Sequence, residues 1–370
     1  MSECAQVSEQ AGEGAACWTG PLTYELPEEL IAQHPAARRE DSRLMVVDRA
    51  RDTIEHHTFR DLPEYLPEHA LLVANDSAVF PARLFARRPT GGKVELLILG
   101  LGAEPVAAMF RSGKGLRDGE RLRLVRSDGE DLEGEDLEAA VEVVGEPVGG
   151  RCQVRAAGGP SVTIADLVER HGEVPLPPYI RGGMGASLED RRRYQTVYAQ
   201  PAGSVAAPTA GLHFSHEVLA SIAQRGHEFE TITLHVGPGT FTPIRGSIAT
   251  HHMAAEHYRV GASTAAAVGR AQAEGRTVLA VGTTTVRALE AAAAATGVVD
   301  SHEADTSIFI KPGHEFRAVG ALLTNFHLPG STLLALIQAF AGEERVRQAY
   351  NEAVARRYRF YSYGDAMLIL

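Results

Sequence analysis

Between Pro81 and about residue 160 the hydrophobic pattern changes period. The runs KVELLIL, VAAMF, RLRLV, AAVEVV and CQVRA follow one another there, separated by Gly, Asp and Pro turns. Period-two alternation marks strands with one buried face, and short strands at this spacing build an antiparallel barrel or sandwich. We therefore expect a small all-β domain over roughly 81–160, inserted into a larger one.

Outside the insert the texture is different. SRLMVVD and the segment around Ile54 to Phe59 read as a hairpin after an acidic helical turn at Leu26 to Gln33, and ALLVAND (70–76) reads as a buried strand. After the insert, helices and strands alternate. Ser215 caps a helix through Arg225 that presents Val218, Leu219 and Ile222 on one face, and Gly226 ends it before the strand TITLHV. The pattern then gives a helix Ser263–Glu274, the strand TVLAV, an Ala-rich helix Val286–Ala295, strands at Ser307–Ile310 and ALLTNF, a helix capped by Ser331, a helix Glu343–Arg356 and the end strand MLIL. Such alternation predicts a mixed or parallel sheet covered by helices.

Composition narrows the setting. A 370-residue chain with 44% hydrophobic residues can bury a large core and divide into two or three domains. Cys4, Cys17 and Cys152 are odd in number, far apart and without a CxxC pair, which fits a reducing cytosol. The first twenty residues are acidic and small, and read as a disordered lead without a signal peptide; no apolar run is long enough to span a bilayer. The net charge of −11 argues against a nucleic-acid partner only on average. Arg83–Arg126 holds ten Lys or Arg against four Asp or Glu, whereas Asp128–Glu146 holds nine carboxylates and no basic residue. Further basic runs at Arg191–Arg193 and at Arg356, Arg357 and Arg359 make an anionic macromolecule a reasonable partner.

Chemistry concentrates in RYQTVYAQPAGSVAAPTAGLHFS, residues 193–215. Between Pro201 and Gly211 nearly every side chain is Gly, Ala, Ser, Thr or Pro, so a ligand can touch the backbone directly, although the same composition suits a tightly packed turn. Three loops follow strand carboxyl ends, where open α/β sheets bind ligands: Gly237–Thr240, Thr283–Thr285 at a helix start with Arg287 one turn in, and Asn325–Gly330. GPGT lacks the spacing of a nucleotide motif. Fifteen histidines include His213, His216, His251, His252 and His257, but HExxH is absent and no metal is expected. His235, inside a strand, reads as a hydrogen-bonded core residue or a site residue.

YQTVYA, GSVAAPTAGLHF, TLHVGPGTF, AVGTTTVRALE, TNFHLPGSTLL and YRFYSYGDAM resemble signature segments of the S-adenosylmethionine:tRNA ribosyltransferase-isomerase family of queuosine synthesis. The likeness runs from about Tyr24 to the C-terminus through SRLMVVD, NDSAVFPARL, TGGKVELL and PLPPYI. It implies the α/β class: a mixed-sheet α/β catalytic domain (21–80 and 161–370) with an inserted small antiparallel β-barrel domain (81–160), after a lead at 1–20. It also implies transfer and isomerisation of the ribosyl part of S-adenosylmethionine onto 7-aminomethyl-7-deazaguanine at the tRNA wobble position, giving epoxyqueuosine and releasing adenine and methionine. S-adenosylmethionine is then a co-substrate, tRNA the partner, the enzyme a cytoplasmic monomer, and no cofactor or membrane is involved.

That chemistry needs a base for the ribose five-prime carbon beside the sulfonium and an acid for the departing adenine. Within the resemblance, His213 is the candidate base or acid, and His235 or His327 its complement. Arg287 with the N–H groups of Thr283, Thr284 and Thr285 is the candidate clamp on the methionine carboxylate, and Thr209, Gly211, Gly237, Gly239 and Asn325 complete the S-adenosylmethionine site. Arg83, Arg111, Lys114 and Arg191 are candidates for tRNA phosphates, and Tyr361 and Tyr363 for stacking on a base. The chain departs from the family pattern at Ala78, Ala254, Ala255, His314 and Gly330. Two other readings therefore stay open: ribosyl transfer to a non-tRNA 7-deazaguanine-type small molecule, and a non-catalytic tRNA-binding homologue.

Overall fold

A computed structural model describes residues 18–20, 22–157, 162–183, 186–237, 244 and 248–370. Two compact units divide the chain. One comprises residues 1–77, 195–200 and 208–370, the other 78–194 and 201–207. Of the expected disordered lead, residues 1–17 lie outside the described residues, while Trp18–Gly20 pairs as a short strand with Thr23–Tyr24.

In chain order the principal strands are β1 (Arg43–Asp48), β2 (Thr53–Thr58) and β3 (Leu71–Asn75). Then come β4 (Arg83–Arg87), β5 (Lys93–Ile98), β6 (Val106–Ser112), β7 (Arg121–Val125), β8 (Ala140–Val148) and β9 (Arg151–Ala156). The last six are β10 (Glu228–Leu234), β11 (Glu256–Val260), β12 (Val278–Val281), β13 (His302–Thr306), β14 (Ala321–Asn325) and β15 (Ala366–Ile369).

Strands β4 to β9 close into a barrel in the order β7-β8-β9-β6-β5-β4, all antiparallel. Alternation explains it: Leu84, Ala86, Val94, Leu96, Leu122, Leu124, Val141, Val143 and Val154 turn inward and form one core, and closure leaves no edge strand to protect. The compact unit runs past residue 160 for a physical reason. Helix α1 (Ile164–His171), closed by a Thr163/Asp166 capping box, puts Ile164, Leu167 and Val168 into the barrel core. Glu173 then exchanges backbone hydrogen bonds of 3.1 and 2.9 Å with Arg83. Gly172 is obligatory at that join, because a Cβ there would stand 2.0 Å from the Pro81 carbonyl oxygen. Helix α2 (Leu188–Arg193) closes the unit's longer segment, capped by Ser187.

The other unit is built on a nine-stranded mixed sheet in the order β13-β11-β10-β3-β12-β14-β15-β1-β2. Strands β10, β3, β12 and β14 run parallel at its centre, and β15 and β1 run parallel to each other in the opposite sense. β3 and β12 are buried at every residue, as strands covered on both faces must be. Helices α3 (His216–Gln224), α4 (Ala262–Ala273), α5 (Thr283–Ala293), α6 (Thr332–Ala341) and α7 (Glu343–Ala355) follow the predicted segments closely. Ser215 and Ser331 cap α3 and α6 by accepting from Val218 N and Leu334 N. Two local expectations fail. The strand predicted at Ser307–Ile310 lies at His302–Thr306, and Thr306 Oγ1 accepts from Ile308 N, turning the chain where the strand was expected. The helix predicted from Val286 begins three residues earlier, at Thr283.

Candidate functional site

The register of the sheet gathers the polar residues on one edge. Ile232 pairs with Asn75, Val281 with Ala74 and Leu323, and Asn325 with Ala366, which pairs in turn with Leu44. The carboxyl ends of four parallel strands therefore deliver Asn75–Ser77, His235–Gly237, Gly282–Thr285 and Phe326–His327 to one line. The antiparallel neighbours begin there, which adds Ser42, Glu256 and Asp365. Two of the predicted loops meet on this edge, the third through Gly237 alone, because Gly239 lies outside the described residues.

Asn75 ties three strand ends together. Its Nδ2 donates to Leu234 O at 2.9 Å and Thr284 Oγ1 at 3.2 Å, and its Oδ1 accepts from Leu234 N and Ser77 N, each at 3.0 Å. With its hydrogen-bonding capacity used and no exposure, the side chain has one orientation, and Thr284 is fixed with it. Asp76 is also buried; its two oxygens accept from Thr233 Oγ1 at 2.7 Å and Thr231 Oγ1 at 2.9 Å. Gly282, at φ 90°, makes the turn into α5 and supplies no side-chain cap, so the first N–H groups of the helix have no intrahelical partner. Thr285 turns inward, donating to Val281 O at 2.8 Å.

Arg287, one turn further, is buried and ion-paired to buried Glu256, and its Nε donates to Ile308 O at 3.2 Å. Glu256 Oε1 accepts from Gly237 N at 3.0 Å. The pair neutralises what would otherwise be an isolated interior charge. Arg287 Nη2 is buried with no hydrogen-bond partner among the described residues, and so is Asn325 Oδ1.

The three candidate histidines differ. His213 ends the helical turn Thr209–His213 and is buried against Phe59, with ring centroids 5.1 Å apart. Asn325 Nδ2 lies 3.1 Å from its Nε2 and also donates to Tyr361 O at 3.1 Å, which fixes the amide orientation. Nε2 is then an acceptor, so Nδ1–H donates to Ser42 Oγ at 2.7 Å, and that hydroxyl donates to Arg39 O at 3.2 Å. Arg39 Nη1 donates to Leu212 O at 2.9 Å, closing the loop on the same turn. Burial first, then the nearby Arg359 and Arg39 charges, push the His213 pKa down to about 3. The ring is neutral at pH 7, and both of its nitrogens are committed.

His327 has the same character. Its Nε2 lies 2.8 Å from Thr324 Oγ1, its backbone N–H donates to Tyr350 Oη at 2.9 Å, its carbonyl accepts from Tyr24 Oη at 2.6 Å, and burial lowers its pKa to about 3. His235 is half-buried, with Nδ1 2.7 Å from Ser77 Oγ; burial, and next the His257 charge, lower its pKa against the opposing pull of Asp76. No described residue bonds its Nε2. Of the three rings, His235 has the combination a proton acceptor needs.

Gly211 has a packing explanation: a Cβ there would lie 2.1 Å from Tyr198 Oη and 2.7 Å from Thr196 Cγ2. A Cβ on Gly237 would meet no atom within 4 Å among the described residues, and Thr209 is half-buried at the start of its turn. Ala206, Ala207, Ala210 and Leu212 are all buried, so the small-residue stretch is packed along most of its length.

Among the residues expected to meet tRNA, Arg83 is spent inside its own unit. Its Nε lies 3.1 Å from Glu95, and its guanidinium donates to the Gly183 and Leu176 carbonyls, which removes it from the set of free cations. Tyr363 is 4% exposed, a core ring with no face to offer a base, whereas Tyr361 is half-buried on the sheet edge at φ 73°. Arg111, Lys114 and Arg191 are exposed. Asn75, Asp76 and Glu256 were not singled out from sequence. The abrupt Asn-Asp-Ser after an all-apolar strand was the available signal for the first two, and nothing local marks Glu256. No cluster of three or more metal-ligating residues occurs among the described residues.

Comparison with known proteins gives the family. The profile of the family described as "Queuosine biosynthesis protein" matches residues 20–369. The chain belongs to that family. It is 49% identical over 366 residues to an S-adenosylmethionine:tRNA ribosyltransferase-isomerase of Anaeromyxobacter sp., covering 94% of this chain and 97% of that protein. It is 50% identical over 353 residues to one of Rubrobacter xylanophilus, covering 95% and 97%. Among solved structures, an S-adenosylmethionine tRNA ribosyltransferase of Thermotoga maritima superposes with a TM-score of 0.52 at 34% identity, covering 95% of this chain and all of the other. Family membership thus accounts for both the barrel and the mixed sheet, and no described helix is long and apolar enough to cross a membrane.

Proposed function

We propose that this protein transfers and isomerises the ribosyl group of S-adenosylmethionine onto the 7-aminomethyl-7-deazaguanine of tRNA, releasing adenine and methionine. The observation that carries the reading is a pair of buried, unpartnered polar groups on the sheet edge of a full-length relative of named ribosyltransferase-isomerases: the donor Arg287 Nη2 and the acceptor Asn325 Oδ1. S-adenosylmethionine carries both complements, a carboxylate for Arg287 and amino groups for Asn325. The free N–H groups at the start of α5 add to the pull on the carboxylate. His235 is the proton acceptor, poised by Ser77 and Asp76. His213 and His327 hold the edge in shape as neutral rings, and no proton passes through them.

Adenine release tests this reading. The protein with S-adenosylmethionine and tRNA bearing the aminomethyl base should release adenine, and the free base in place of tRNA should give none. Release with the free base would support the small-molecule acceptor, and no release with either would support a non-catalytic homologue. The relatives' names favour tRNA as acceptor.

A further inference from the structure

Strand register on the barrel sets like charges side by side. Arg87 on β4 is directly opposite Arg123 on β7 and directly opposite Lys93 on β5, so three cations stand abreast on the outward face of consecutive strands. Cross-strand pairs of one sign are destabilising, and a sheet that needed only to fold would place a carboxylate in the row. The carboxylates opposite the flanking arginines are turned elsewhere. Glu142 lies opposite Arg121 yet pairs with Arg155 at 2.7 Å, and Glu95 lies opposite Arg111 yet pairs with Arg83 at 3.1 Å. Arg88 is held bidentate by Glu120 at 2.6 and 2.8 Å, and Asp131 serves Arg123 at 2.7 Å and Arg87 at 3.6 Å. Lys93, Arg111 and Arg121 are exposed and have no ion-pair partner among the described residues. A depression of about 280 Å³ lined by Arg87, Arg88, Arg121 and Arg123, with Glu138, opens beside the row.

We propose that this diagonal band across β7, β4, β5 and β6, with Arg121, Arg123, Arg87, Lys93 and Arg111 in its path, is a docking surface for the phosphate backbone of tRNA. Four strands at about 4.8 Å spacing give it a width of roughly 14 Å, enough to meet several phosphates of one RNA strand. The identity of the polyanion rests on the reading above; the surface itself rests on the register and the diverted carboxylates. Contacts of this kind position RNA without reading its sequence.

The test is tRNA binding by the full chain over a salt series. Lys93→Ala/Arg121→Ala should flatten the slope of log K against log salt by roughly 1.5. Lys93→Glu/Arg121→Glu should raise the tRNA Kd at least about tenfold near 0.1 M salt, and the KM for tRNA with it, with kcat at saturating tRNA and the S-adenosylmethionine affinity unchanged. Arg259→Glu, on β11 in the other unit and exposed, should change the tRNA Kd less than about twofold and shows whether any surface cation would do. Unchanged Kd and slope in the double variants, or an equal loss in Arg259→Glu, would overturn the proposal. S-adenosylmethionine binding and the thermal midpoint verify that each variant is folded. Failure of the parent protein to release adenine would count against the function alone, because tRNA binding reads the surface without turnover.

Discussion

The sheet edge and the barrel face treat charge in opposite ways. On the edge the buried ionic groups are matched: Arg287 with Glu256, Asp76 with two threonines, His213 kept neutral between Asn325 and Ser42. On the barrel, exposed Lys93, Arg111 and Arg121 have no ion-pair partner among the described residues, and the carboxylates opposite Arg111 and Arg121 serve other arginines. A buried matched site recognises a small molecule by geometry, since each polar atom it leaves unpaired is costly and selects its complement. An exposed unmatched face attracts any polyanion, weakens with salt and selects little. The two regions therefore fit the two halves of one reaction, a sulfonium donor and a nucleic-acid acceptor.

Acid gives the largest effect that could break this contrast. His213 and His327 are held near pKa 3 in the folded protein against about 6.5 when unfolded, so between those values only the unfolded chain takes up the protons. The stabilising contribution is complete above pH 6.5 and is lost as pH falls toward 3, by up to ~5 kcal/mol per ring. The barrel strands contain no histidine. Amide exchange followed as pH is lowered from 7 to 4 should show β3 and β14 losing protection ahead of β5 and β7; simultaneous loss in both units would remove the contrast.

Removing the proposed proton acceptor comes next. His235→Gln should cut kcat by about 10²–10⁴ while leaving S-adenosylmethionine binding near its parent value. Because the His235 pKa is lowered, the ring is in its base form above that value, and the acid limb of kcat/KM should fall below pH 6.5 and vanish in the variant. A variant with an unaltered acid limb would assign the base elsewhere.

The smallest effect sharpens the account of the small-residue stretch. Gly211→Ala must displace Tyr198 and Thr196 and should cost roughly 1–3 kcal/mol in chemical denaturation, whereas Gly261→Ala, at φ −73° with no described atom within 4 Å of the added Cβ, should cost less than about 0.5. Equal costs would mean that Gly211 is not kept for packing.

Much of the architecture could be read without coordinates, because it follows from local periodicity. Period-two runs marked five of the six barrel strands; the sixth, Arg83–Arg87, alternates in the same way, with Leu84 and Ala86 buried between Arg83, Phe85 and Arg87. Ser215 and Ser331 announced their helices, and the loops after strand ends marked the edge. The end of the barrel unit was not legible, since α1 looks like any amphipathic helix until its apolar face has a core to enter. Residue type likewise could not separate the three histidines. His213 becomes neutral through Ser42, 171 positions away, and Asn325, 112 positions away, and no window of sequence contains that arrangement.

The order of hydrophobic and turn residues by itself determined an α/β sheet with a β insert and placed glycine, threonine and arginine at its strand ends, because backbone sterics and side-chain period act over a few residues. Only the tertiary structure decided which ionisable groups are neutral, which are paired and which are free, because desolvation and Coulomb energy depend on neighbours that the fold, not the chain, brings within a few ångströms.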